Sequence, residues 1–388
     1  MKKKLKDVCD FYSGTGFPTQ YQGKNEGDYP FYKVGDIANN VIAGNIYLES
    51  CNNYIDNLVV KNIKGCILPK DTVVFAKIGE ALKLNRRAIT SCNCLIDNNA
   101  MGIAPREELR IQYFYFMMKN LKLQKLAEST TVPSVRKKVL ENYEIVIPSL
   151  LEQEKIEKKL ICVREIIRKR KLELLSLDNL VKARFVEMFG VPILNTKQWA
   201  ETVVGEIASE VRYGTSKPAV ENGKYPYLRM NNLTLDGHLD LSDLKYIDIP
   251  EDELEKCVVR KGDILFNRTN SAELVGKTAL FDLDQDMIIA GYIIRVRLND
   301  TILPEFFVQY MNTDVLKSLL KGMAKGAVNQ ANINAKELQG IKVYLPPLEL
   351  QNEFIKFKIQ ADKSKAVIEK SLKELETLQA SLMQEYFS

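Results

Sequence analysis

Apolar residues recur at alternating steps of four and three along two long stretches of the chain, about 151–188 and about 350–386. This spacing, sustained over about five heptads, is typical of a coiled-coil seam, so the pattern predicts two long helices. Two stripes of equal length most simply bury each other, which favours an intramolecular antiparallel pair. The predicted seam residues are Ile156, Leu160, Val163, Ile167, Leu174, Leu177, Val181 and Met188 in the first helix, and Phe354, Ile368, Leu372, Leu375 and Leu382 in the second.

The same short motif precedes each of the two predicted helices. Ile145–Gln153 and Val343–Gln351 each read as a short apolar strand, a proline, a leucine and the first turns of a charged helix. The offset between Pro148 and Pro346 is 198 residues (346 − 148), and the offset between the two glutamines is the same. A period of this length predicts two tandem copies of one unit, each a domain followed by a helix.

The stretches that precede the two helices are predicted to be mixed α/β domains, which we call head 1 and head 2. Short β-branched runs such as Thr72–Phe75 and Asp263–Phe266 lie between glycine- and asparagine-bearing turns, and an aromatic helix follows in each head. The predicted fold class is α+β, with two similar heads joined by two long antiparallel coiled-coil helices and related by internal pseudo-twofold symmetry. The predicted segments are head 1 at 1–148, the first helix at 149–190, head 2 at 191–346 and the second helix at 347–388.

The composition is that of an ordinary globular protein, with 46% hydrophobic and 27% charged residues. Lys and Arg exceed Asp and Glu by only five residues, 55 against 50. This excess permits nucleic-acid binding without requiring it, because a basic face can coexist with an acidic one.

The seven cysteines show no pairing framework, which is typical of reduced thiols in the cytosol, so we expect a cytoplasmic protein. Cys92 and Cys94 are too close together for a usual zinc site, and the only histidine, His238, is distant in sequence, so no metal site is predicted. Charged residues follow the N-terminal lysines where a signal peptide would be apolar, and no run of 18 apolar residues exists, so no membrane partner is expected.

Polar loops differ between the two heads, although the landmarks on either side of them recur in the same order. Loops of this kind supply the side chains that hydrogen-bond base edges or phosphates, although loops are also polar simply because they face water. The candidate DNA-binding residues are Ser13, Thr15, Lys33, Lys77, Lys83, Arg86, Arg87, Thr131, Ser134, Arg136 and Lys137 in head 1, and Thr215, Ser216, Lys217, Arg229, Asn231, Asn267, Arg268, Thr269, Asn270, Lys325, Asn329, Gln330 and Asn332 in head 2. Among these, Arg87 and Arg268 are the arginines that we expect to touch DNA.

Taken together, the chain resembles the specificity subunit of a type I restriction-modification system. The resemblance rests on the Pro-x-Leu-x-x-Gln corner before each helix and on the run Arg184–Gly190 at the end of the first helix. It also rests on residues at the start of the second head, namely Trp199, Val204–Ala208 and Tyr213–Thr215. It covers essentially the whole chain in the family's order. One departure is Leu350, which stands where the first corner has the acidic Glu152.

The resemblance implies a DNA reader without catalytic residues. In the family each head binds one half of a split, asymmetric site in double-stranded DNA, and the helices act as a ruler for the gap between the half-sites. Two methyltransferase subunits dock on this chain and restriction subunits complete the nuclease. It also implies that the chain itself binds no cofactor, because S-adenosylmethionine and ATP are handled by those partner subunits.

Three alternatives remain open at this level. A self-contained methyltransferase would need an Asn/Asp-Pro-Pro-aromatic loop, whereas the only Pro-Pro pair, Pro346–Pro347, begins a helix. The nuclease-like spacing of Glu157, Lys158 and Lys159 falls on a charged helix face. A duplicated scaffold that binds only protein is a second alternative, and the specificity subunit of a related two-subunit or fused restriction-modification system is a third.

Overall fold

The computed structural model describes residues 2–127, 132–324 and 331–387. Residue contacts divide the chain into two compact units. Unit 1 comprises Met1–Glu173 and Ile368–Ser388, and unit 2 comprises Leu174–Val367. The division falls inside the two long helices, so each unit contains one head and a part of both helices.

Head 1 contains short strands interspersed with short helices. In order they are β1 (Lys2–Lys4), α1 (Leu5–Val8), β2 (Cys9–Ser13), β3 (Tyr29–Tyr32), α2 (Val34–Ile42), β4 (Tyr54–Ile55), α3 (Asn57–Asn62), β5 (Val73–Ala76), α4 (Glu80–Lys83), β6 (Ala88–Ile89), β7 (Leu95–Ile96), β8 (Ala100–Pro105), α5 (Ile111–Asn120), α6 (Lys137–Glu141) and β9 (Glu144–Val146), followed by the first long helix, α7 (Leu150–Phe189).

Head 2 follows the same plan. Its elements are β10 (Ala200–Val203), α8 (Val204–Ile207), β11 (Ala208–Tyr213), β12 (Tyr225–Leu228), β13 (Lys245–Ile247), α9 (Glu251–Cys257), β14 (Val258–Val259), β15 (Ile264–Asn267), β16 (Thr269–Asn270), β17 (Thr278–Leu280), β18 (Met287–Ile289), β19 (Ile293–Leu298), α10 (Pro304–Met311), α11 (Asp314–Met323), β20 (Ala331–Asn332), α12 (Ala335–Gln339) and β21 (Lys342–Leu345), followed by the second long helix, α13 (Leu348–Phe387).

The sheets repeat the same topology in both heads. Within the described residues, an antiparallel sheet of order β2-β8-β5-β6 in head 1 corresponds to β11-β19-β15-β17 in head 2. A second sheet, β4-β3-β7, corresponds to β13-β12-β18 with β14 added at its edge, and its parallel pair recurs as β3 with β7 and β12 with β18. The predicted internal duplication is therefore present in the fold as well as in the sequence.

Aromatic helices pack against the first of these sheets in each head. In head 1 the apolar run of β5 and the aromatic face of α5 belong to one core, in which Phe75, Phe114 and Phe116 are almost completely enclosed. Head 2 has the same arrangement, with Phe306 and Phe307 of α10 in its core. A fully buried phenylalanine contributes roughly 1.5–3 kcal/mol by leaving water, which is why these short runs specify core elements.

The two long helices run antiparallel in each unit. Both are 40 residues long, about 60 Å at 1.5 Å per residue. In unit 1, Lys159 Nζ lies 3.2 Å from Tyr386 Oη, and Lys171 forms an ion pair with Glu376 at 2.9 Å. Residue numbers on one helix rise as those of the partner helix fall, which is the antiparallel pairing that the sequence predicts.

Unit 2 shows the same direction of pairing. Arg184 forms an ion pair with Glu353 at 2.9 Å, and Asp178 forms one with Lys365. Lys358 and Lys365 are polar residues in the apolar stripe of α13, and both are half-buried. Their ammonium groups are neutralised by Asp362 and Asp178, which reduces the cost of burying charge in the seam.

The apolar stripes of α7 and α13 also complete the cores of the heads. Phe185 and Phe189 of α7 contact Phe354 of α13 with ring centroids 5.3 and 5.6 Å apart. Phe306 of head 2 lies 4.8 Å from Phe189. All the predicted seam residues are buried or half-buried, namely Ile156, Leu160, Val163, Ile167, Leu174, Leu177, Val181, Met188, Phe354, Ile368, Leu372, Leu375 and Leu382.

Candidate nucleic-acid interface

Two predicted loops of head 1 meet at one end of its main sheet. Lys77 directly follows β5, and Ser13 ends β2, which runs parallel to β5 on the other side of β8, so both lie at the same end of the sheet. Ile78 then forms a β-bridge with Ser134, and Gly79 N donates to Pro133 O at 2.9 Å. Segments more than fifty residues apart in sequence are thereby joined into one surface.

Head 2 assembles its loops in the same way. Thr269 and Asn270 form a short ladder with Ala331 and Asn332, and Thr269 Oγ1 donates to Asn332 Oδ1 at 2.8 Å. Tyr213, which ends β11, lies at the same edge of the sheet. The two heads therefore present the same pair of loops at the end of the same strand.

Lys77 and Arg268 occupy equivalent backbone positions in the two heads. Lys77 N donates to Asn99 O at 2.9 Å, and Arg268 N donates to Tyr292 O at 3.0 Å. On the other side, the carbonyls of Lys77 and Arg268 accept from Val135 N and Ile333 N, each at 2.9 Å. Each head consequently has one cationic residue whose backbone is held between the same two loops.

Arg268 is held more firmly than an ordinary loop residue. Its guanidinium carbon lies 4.9 Å from the centre of the Tyr213 ring, and Nη1 donates to Gly291 O at 3.3 Å. The side chain is half-buried and its Nε has no hydrogen-bond partner. A guanidinium that stacks on an aromatic ring at the end of the sheet is suited to contact a guanine or a phosphate through its terminal nitrogens.

The structure corrects the expectation that Arg87 touches DNA. Its side chain is only 2% exposed and lies over the Phe75 ring at 5.0 Å. Its terminal nitrogens donate to Asn85 Oδ1 at 2.8 Å and Leu121 O at 3.2 Å. Burial lowers the pKa of Arg87 to about 9. Arg87 therefore holds a loop of head 1 together and is not available to a ligand.

Three further candidate residues are buried and form hydrogen bonds within the protein. Asn267 is fully buried and donates to Thr269 O and Tyr292 O, both at 3.2 Å. Thr269 is buried beside Asn332. Thr15 is buried as well, and its Oγ1 accepts from Cys66 N at 3.0 Å. Asn267 and Thr15 satisfy backbone groups, and Thr269 bonds to the side chain of Asn332, so all three shape the surface from inside the loops.

Several candidate cations are already neutralised by neighbouring carboxylates. Lys83 pairs with Glu80 at 2.6 Å, Lys217 with Glu253 at 2.9 Å and Arg229 with Asp243 at 2.7 Å. Lys33 donates to the side chain of Gln22 and lies over the Phe17 ring at 5.6 Å. A phosphate would have to compete with these partners, so such residues are weaker candidates than Lys77 and Arg268.

The remaining candidates are exposed or half-exposed. They are Ser13, Lys77, Arg86, Ser134, Arg136 and Lys137 in head 1, and Thr215, Ser216, Asn231, Arg268, Asn270 and Asn332 in head 2. Lys137 also pairs with Glu141 at 3.6 Å. Thr131, Lys325, Asn329 and Gln330 lie outside the described residues.

The structure adds surface residues that the sequence analysis did not include. Tyr292 is 51% exposed and Tyr213 is 42% exposed, and both lie beside Arg268. Asn98 and Asn99 are exposed at the corresponding turn of head 1. Aromatic and amide side chains at this edge can stack on or hydrogen-bond to bases. In the sequence, both turns directly precede an apolar run that forms a strand. Many other turns do the same, so this position alone does not identify a DNA contact.

Other chemistry is not evident in the described residues. No group of three or more His, Cys, Asp or Glu side chains there is arranged to hold a metal ion. All seven cysteines are free thiols, and burial raises the pKa of Cys9 to about 12. No helix within the described ranges is both long and apolar enough to cross a bilayer.

The relatives found by comparison with known proteins are specificity subunits of type I restriction enzymes. The MjaX specificity subunit of a type I restriction enzyme from Methanocaldococcus jannaschii is 29% identical over 196 residues, which is 50% of this chain and 46% of that protein. The EcoKI specificity subunit from Escherichia coli strain K12 is 24% identical over 341 residues, covering 82% of this chain and 73% of that protein. The chain thus spans about half the length of the first relative and more of the second.

Solved structures share the fold over the whole chain. The S subunit of a type I restriction-modification system from M. genitalium has a TM-score of 0.58 at 17% identity, covering 100% of this chain and 96% of that one. A structure from a study of complex assembly in the type I R-M system has a TM-score of 0.62 at 19% identity, covering 100% and 97%. The family model described as the type I restriction modification DNA specificity domain matches residues 1–176 and 197–377. The chain therefore belongs to the type I restriction-modification DNA specificity family.

Proposed function

We propose that this chain is the DNA-reading subunit of a type I restriction-modification complex, and that each head reads one half of a bipartite, asymmetric site. The observation that carries the proposal is the equivalence of Lys77 and Arg268. The fold around them is the same, whereas the residues beside them differ, Asn98 and Asn99 in head 1 and Gly291 and Tyr292 in head 2. A shared scaffold with different contact residues is what two readers of different sequences require.

The long helices are the proposed docking surface for two methyltransferase subunits. Besides the buried stripe, α7 and α13 carry large apolar side chains that face solvent, including Leu172, Leu175, Leu180, Ile359 and Val367. Leu172 and Leu175 lie three residues apart on one face of α7, and adjacent exposed apolar side chains of this kind form a surface that a partner subunit would bury. Restriction subunits would then join the complex, and S-adenosylmethionine and ATP would be bound by these partner subunits.

We assign no catalytic role to the chain itself, which we place in the cytoplasm. In support, Pro346 and Pro347 directly precede α13, and Gln351 N donates to Pro347 O at 3.1 Å, so this Pro-Pro pair leads into a helix and not into a loop that could hold a flipped base. The free thiols are compatible with a reducing compartment.

Exchange of one head tests the proposal. Residues 1–148 would be replaced by the first head of another family member, and the methylated motif would be mapped after expression with the methyltransferase partner. We expect one half of the motif to change while the other half and the spacer persist. The reciprocal exchange of 191–346 is the matched control and should change the opposite half. A change of both halves in either exchange would exclude independent reading.

A further inference from the structure

One tight turn recurs at the same place in both heads. In head 1 it spans Asp97–Ala100 and leads from β7 into β8, and in head 2 it spans Ala290–Ile293 and leads from β18 into β19. The first carbonyl of each turn accepts from the amide three residues on, at 3.0 Å in head 1 and 2.8 Å in head 2. Both are therefore β-turns, with Asn98–Asn99 and Gly291–Tyr292 at their centres.

In head 2 the main chain of this turn is held on two sides. Gly291 N donates to Thr215 O at 2.7 Å on one side. On the other side, Tyr292 O accepts from Arg268 N at 3.0 Å and from Nδ2 of the buried Asn267 at 3.2 Å. Segments from two distant parts of the head therefore fix the main chain from which the Tyr292 side chain extends.

Head 1 holds its turn in an equivalent way. Asn99 O accepts from Lys77 N at 2.9 Å, as Tyr292 O accepts from Arg268 N in head 2. The carboxylate of Asp97 adds further contacts, because it accepts from Asn99 N at 2.8 Å and from Val34 N at 2.9 Å. Different side chains thus stabilise a turn with the same main-chain hydrogen bond in the two heads.

A glycine beside each turn shows how closely the neighbouring chain approaches it. A Cβ at Gly14 would lie 1.7 Å from Asp97 O, and a Cβ at Gly214 would lie 2.4 Å from Ala290 O. Atoms cannot approach so closely, so only glycine allows the chain that leaves β2 and β11 to pass against the turn. Both heads therefore keep this packing, although the central residues of the turn differ.

The central residues are exposed at the end of the main sheet where Lys77 and Arg268 lie, because β8 and β19 begin there. Asn98, Asn99 and Tyr292 are all exposed. In the part of the chain that the structure describes, none of these three side chains has a hydrogen-bond partner. A free side chain on a fixed main chain is suited to contact a ligand, because little conformational freedom is lost on binding.

The two side chains suit different bases. The amide of Asn99 can accept from N6 of adenine while it donates to N7, and only adenine presents this pattern in the major groove. The ring of Tyr292 instead offers an apolar face, which fits the 5-methyl group of thymine. The major groove of B-DNA is roughly 12 Å wide, so protein elements at the end of a sheet can reach the base edges.

We propose that the second central residue of this turn, Asn99 in head 1 and Tyr292 in head 2, is a specificity-determining residue that contacts one base in the major groove. Asn99 recognises an adenine through its amide, and Tyr292 recognises a thymine through its methyl group. The inference rests on the proposed DNA-reading function. It assigns base identity to the uncharged side chains of the turn, next to the cations Lys77 and Arg268.

Methylation mapping with the methyltransferase partner tests the inference, with the motif of the unchanged chain as the reference. We expect Asn99→Ala to relax one adenine position in one half of the motif, and Tyr292→Ala to relax one thymine position in the other half. Discrimination between bases at that position should fall by about fivefold or more. The half-site read by the other head is an internal control, because its persistence shows that the variant is folded and assembled.

Two further variants test the chemistry of the contacts. A carboxylate accepts from N4 of cytosine but cannot donate to N7 of adenine, so Asn99→Asp should shift the preference at that position from adenine to cytosine. Tyr292→Phe keeps the ring and should leave the motif unchanged. Uracil in place of the thymine removes only the methyl group, so it should weaken DNA binding of the unchanged complex by about threefold and that of the Tyr292→Ala complex much less.

Asn142→Ala and Tyr246→Ala are the matched controls. Both residues are exposed and lie outside the turn, Asn142 directly after α6 and Tyr246 in the edge strand β13. Their variants should methylate the same motif as the unchanged chain.

Two outcomes would overturn the inference and leave the DNA-reading function intact. The first is an unchanged motif in the Asn99→Ala and Tyr292→Ala variants. The second is relaxation of a whole half-site at once, which would mean that the turn shapes the head and reads no single base. Absence of any bipartite motif for the unchanged complex would instead overturn the DNA-reading function, and this inference with it.

Discussion

The side-chain oxygen of Gln351 accepts a hydrogen bond from the backbone amide of Leu303 at 2.9 Å. The same bond joins Gln153 to Arg110 at 2.9 Å in the other unit. Both glutamines are fully buried, and their amide nitrogens donate to the carbonyls of Pro346 and Pro148 at 2.8 and 3.0 Å. One side chain therefore fastens the start of each long helix to the start of an aromatic core helix.

Replacing either glutamine should destabilise the unit that contains it. Gln351→Ala leaves the Leu303 amide and the Pro346 carbonyl unpaired in a buried place, so we expect the free energy of unfolding to fall by about 2–3 kcal/mol. Gln153→Ala should have a similar effect in unit 1. Urea denaturation measures the change, with Gln360→Ala on the exposed face of α13 as the control. Losses no larger than that of the control would mean that these bonds contribute little.

Removal of the equivalent cations should weaken DNA binding. We expect Arg268→Ala and Lys77→Ala each to reduce affinity for duplex DNA containing the target site, and to lower the slope of log affinity against log salt by about one if the lost contact is a phosphate. A base contact would also relax the motif in one half-site. Binding would be measured at several salt concentrations in the complex with the methyltransferase.

The chain offers matched controls for this experiment at the opposite end of the same strands. Lys70 precedes β5 and Lys261 precedes β15, and both are exposed. Their alanine variants should bind DNA like the unchanged chain. Arg268→Lys keeps the charge but loses the planar stack on Tyr213, so an intermediate affinity is expected. Equal affinities for Arg268→Ala and Lys261→Ala would exclude Arg268 as a contact.

Arg87→Ala should reduce stability and not recognition. The change removes three hydrogen bonds and the contact with Phe75, so we expect a loss of about 2–4 kcal/mol in unfolding free energy and a Tm lower by several degrees. The neighbouring Arg86 is half-exposed, and Arg86→Ala should change stability by less than about 1 kcal/mol. Calorimetry compares the two variants. A stable Arg87→Ala chain with reduced DNA affinity would restore Arg87 as a contact.

Thiol labelling should separate the cysteines into fast and slow classes. Cys92 and Cys162 are exposed and should react within minutes at pH 8, whereas Cys9 and Cys94 are buried and burial raises the pKa of each thiol. Since the thiolate is the reactive form, buried thiols should be labelled only after unfolding. Mass spectrometry after timed labelling identifies the sites. Rapid labelling of Cys9 in the folded chain would contradict its burial in the core of head 1.

Lengthening both helices should lengthen the DNA spacer. The division between the units falls after Glu173 in α7 and after Val367 in α13. Inserting four residues at both points adds about 6 Å to each helix and leaves the pairing inside each unit unchanged. That length is close to two base-pair steps at roughly 3.4 Å each. We expect both half-site sequences to persist with a spacer longer by about one or two base pairs.

Methylation mapping of the double-insertion variant with its partner gives the result. Insertion in α7 alone is the control, because it shifts the heptads of one helix against the other and should reduce activity. An unchanged spacer in an active double-insertion variant would mean that contacts other than the helices set the gap.

The sequence by itself determined the features that depend on local pattern and on repetition. The heptad spacing predicts both long helices, because residues at this spacing lie on one face of a helix, and that apolar face is stable once another element buries it. The repeated corner around Gln153 and Gln351 predicts the duplication, and the β-branched runs Thr72–Phe75 and Asp263–Phe266 predict strands. Each of these signals lies within a single segment of the chain.

Only the tertiary structure decided which polar loop residues are available to a ligand. Arg87 and Asn267, like Lys77 and Arg268, are polar residues of predicted loops. In the structure Arg87 and Asn267 are buried. The difference arises from pairing between segments that are distant in sequence, such as Ile78 with Ser134 and Thr269 with Asn332. A buried backbone group must be satisfied by whichever polar side chain reaches it, and that choice is made by the packed loops as a whole.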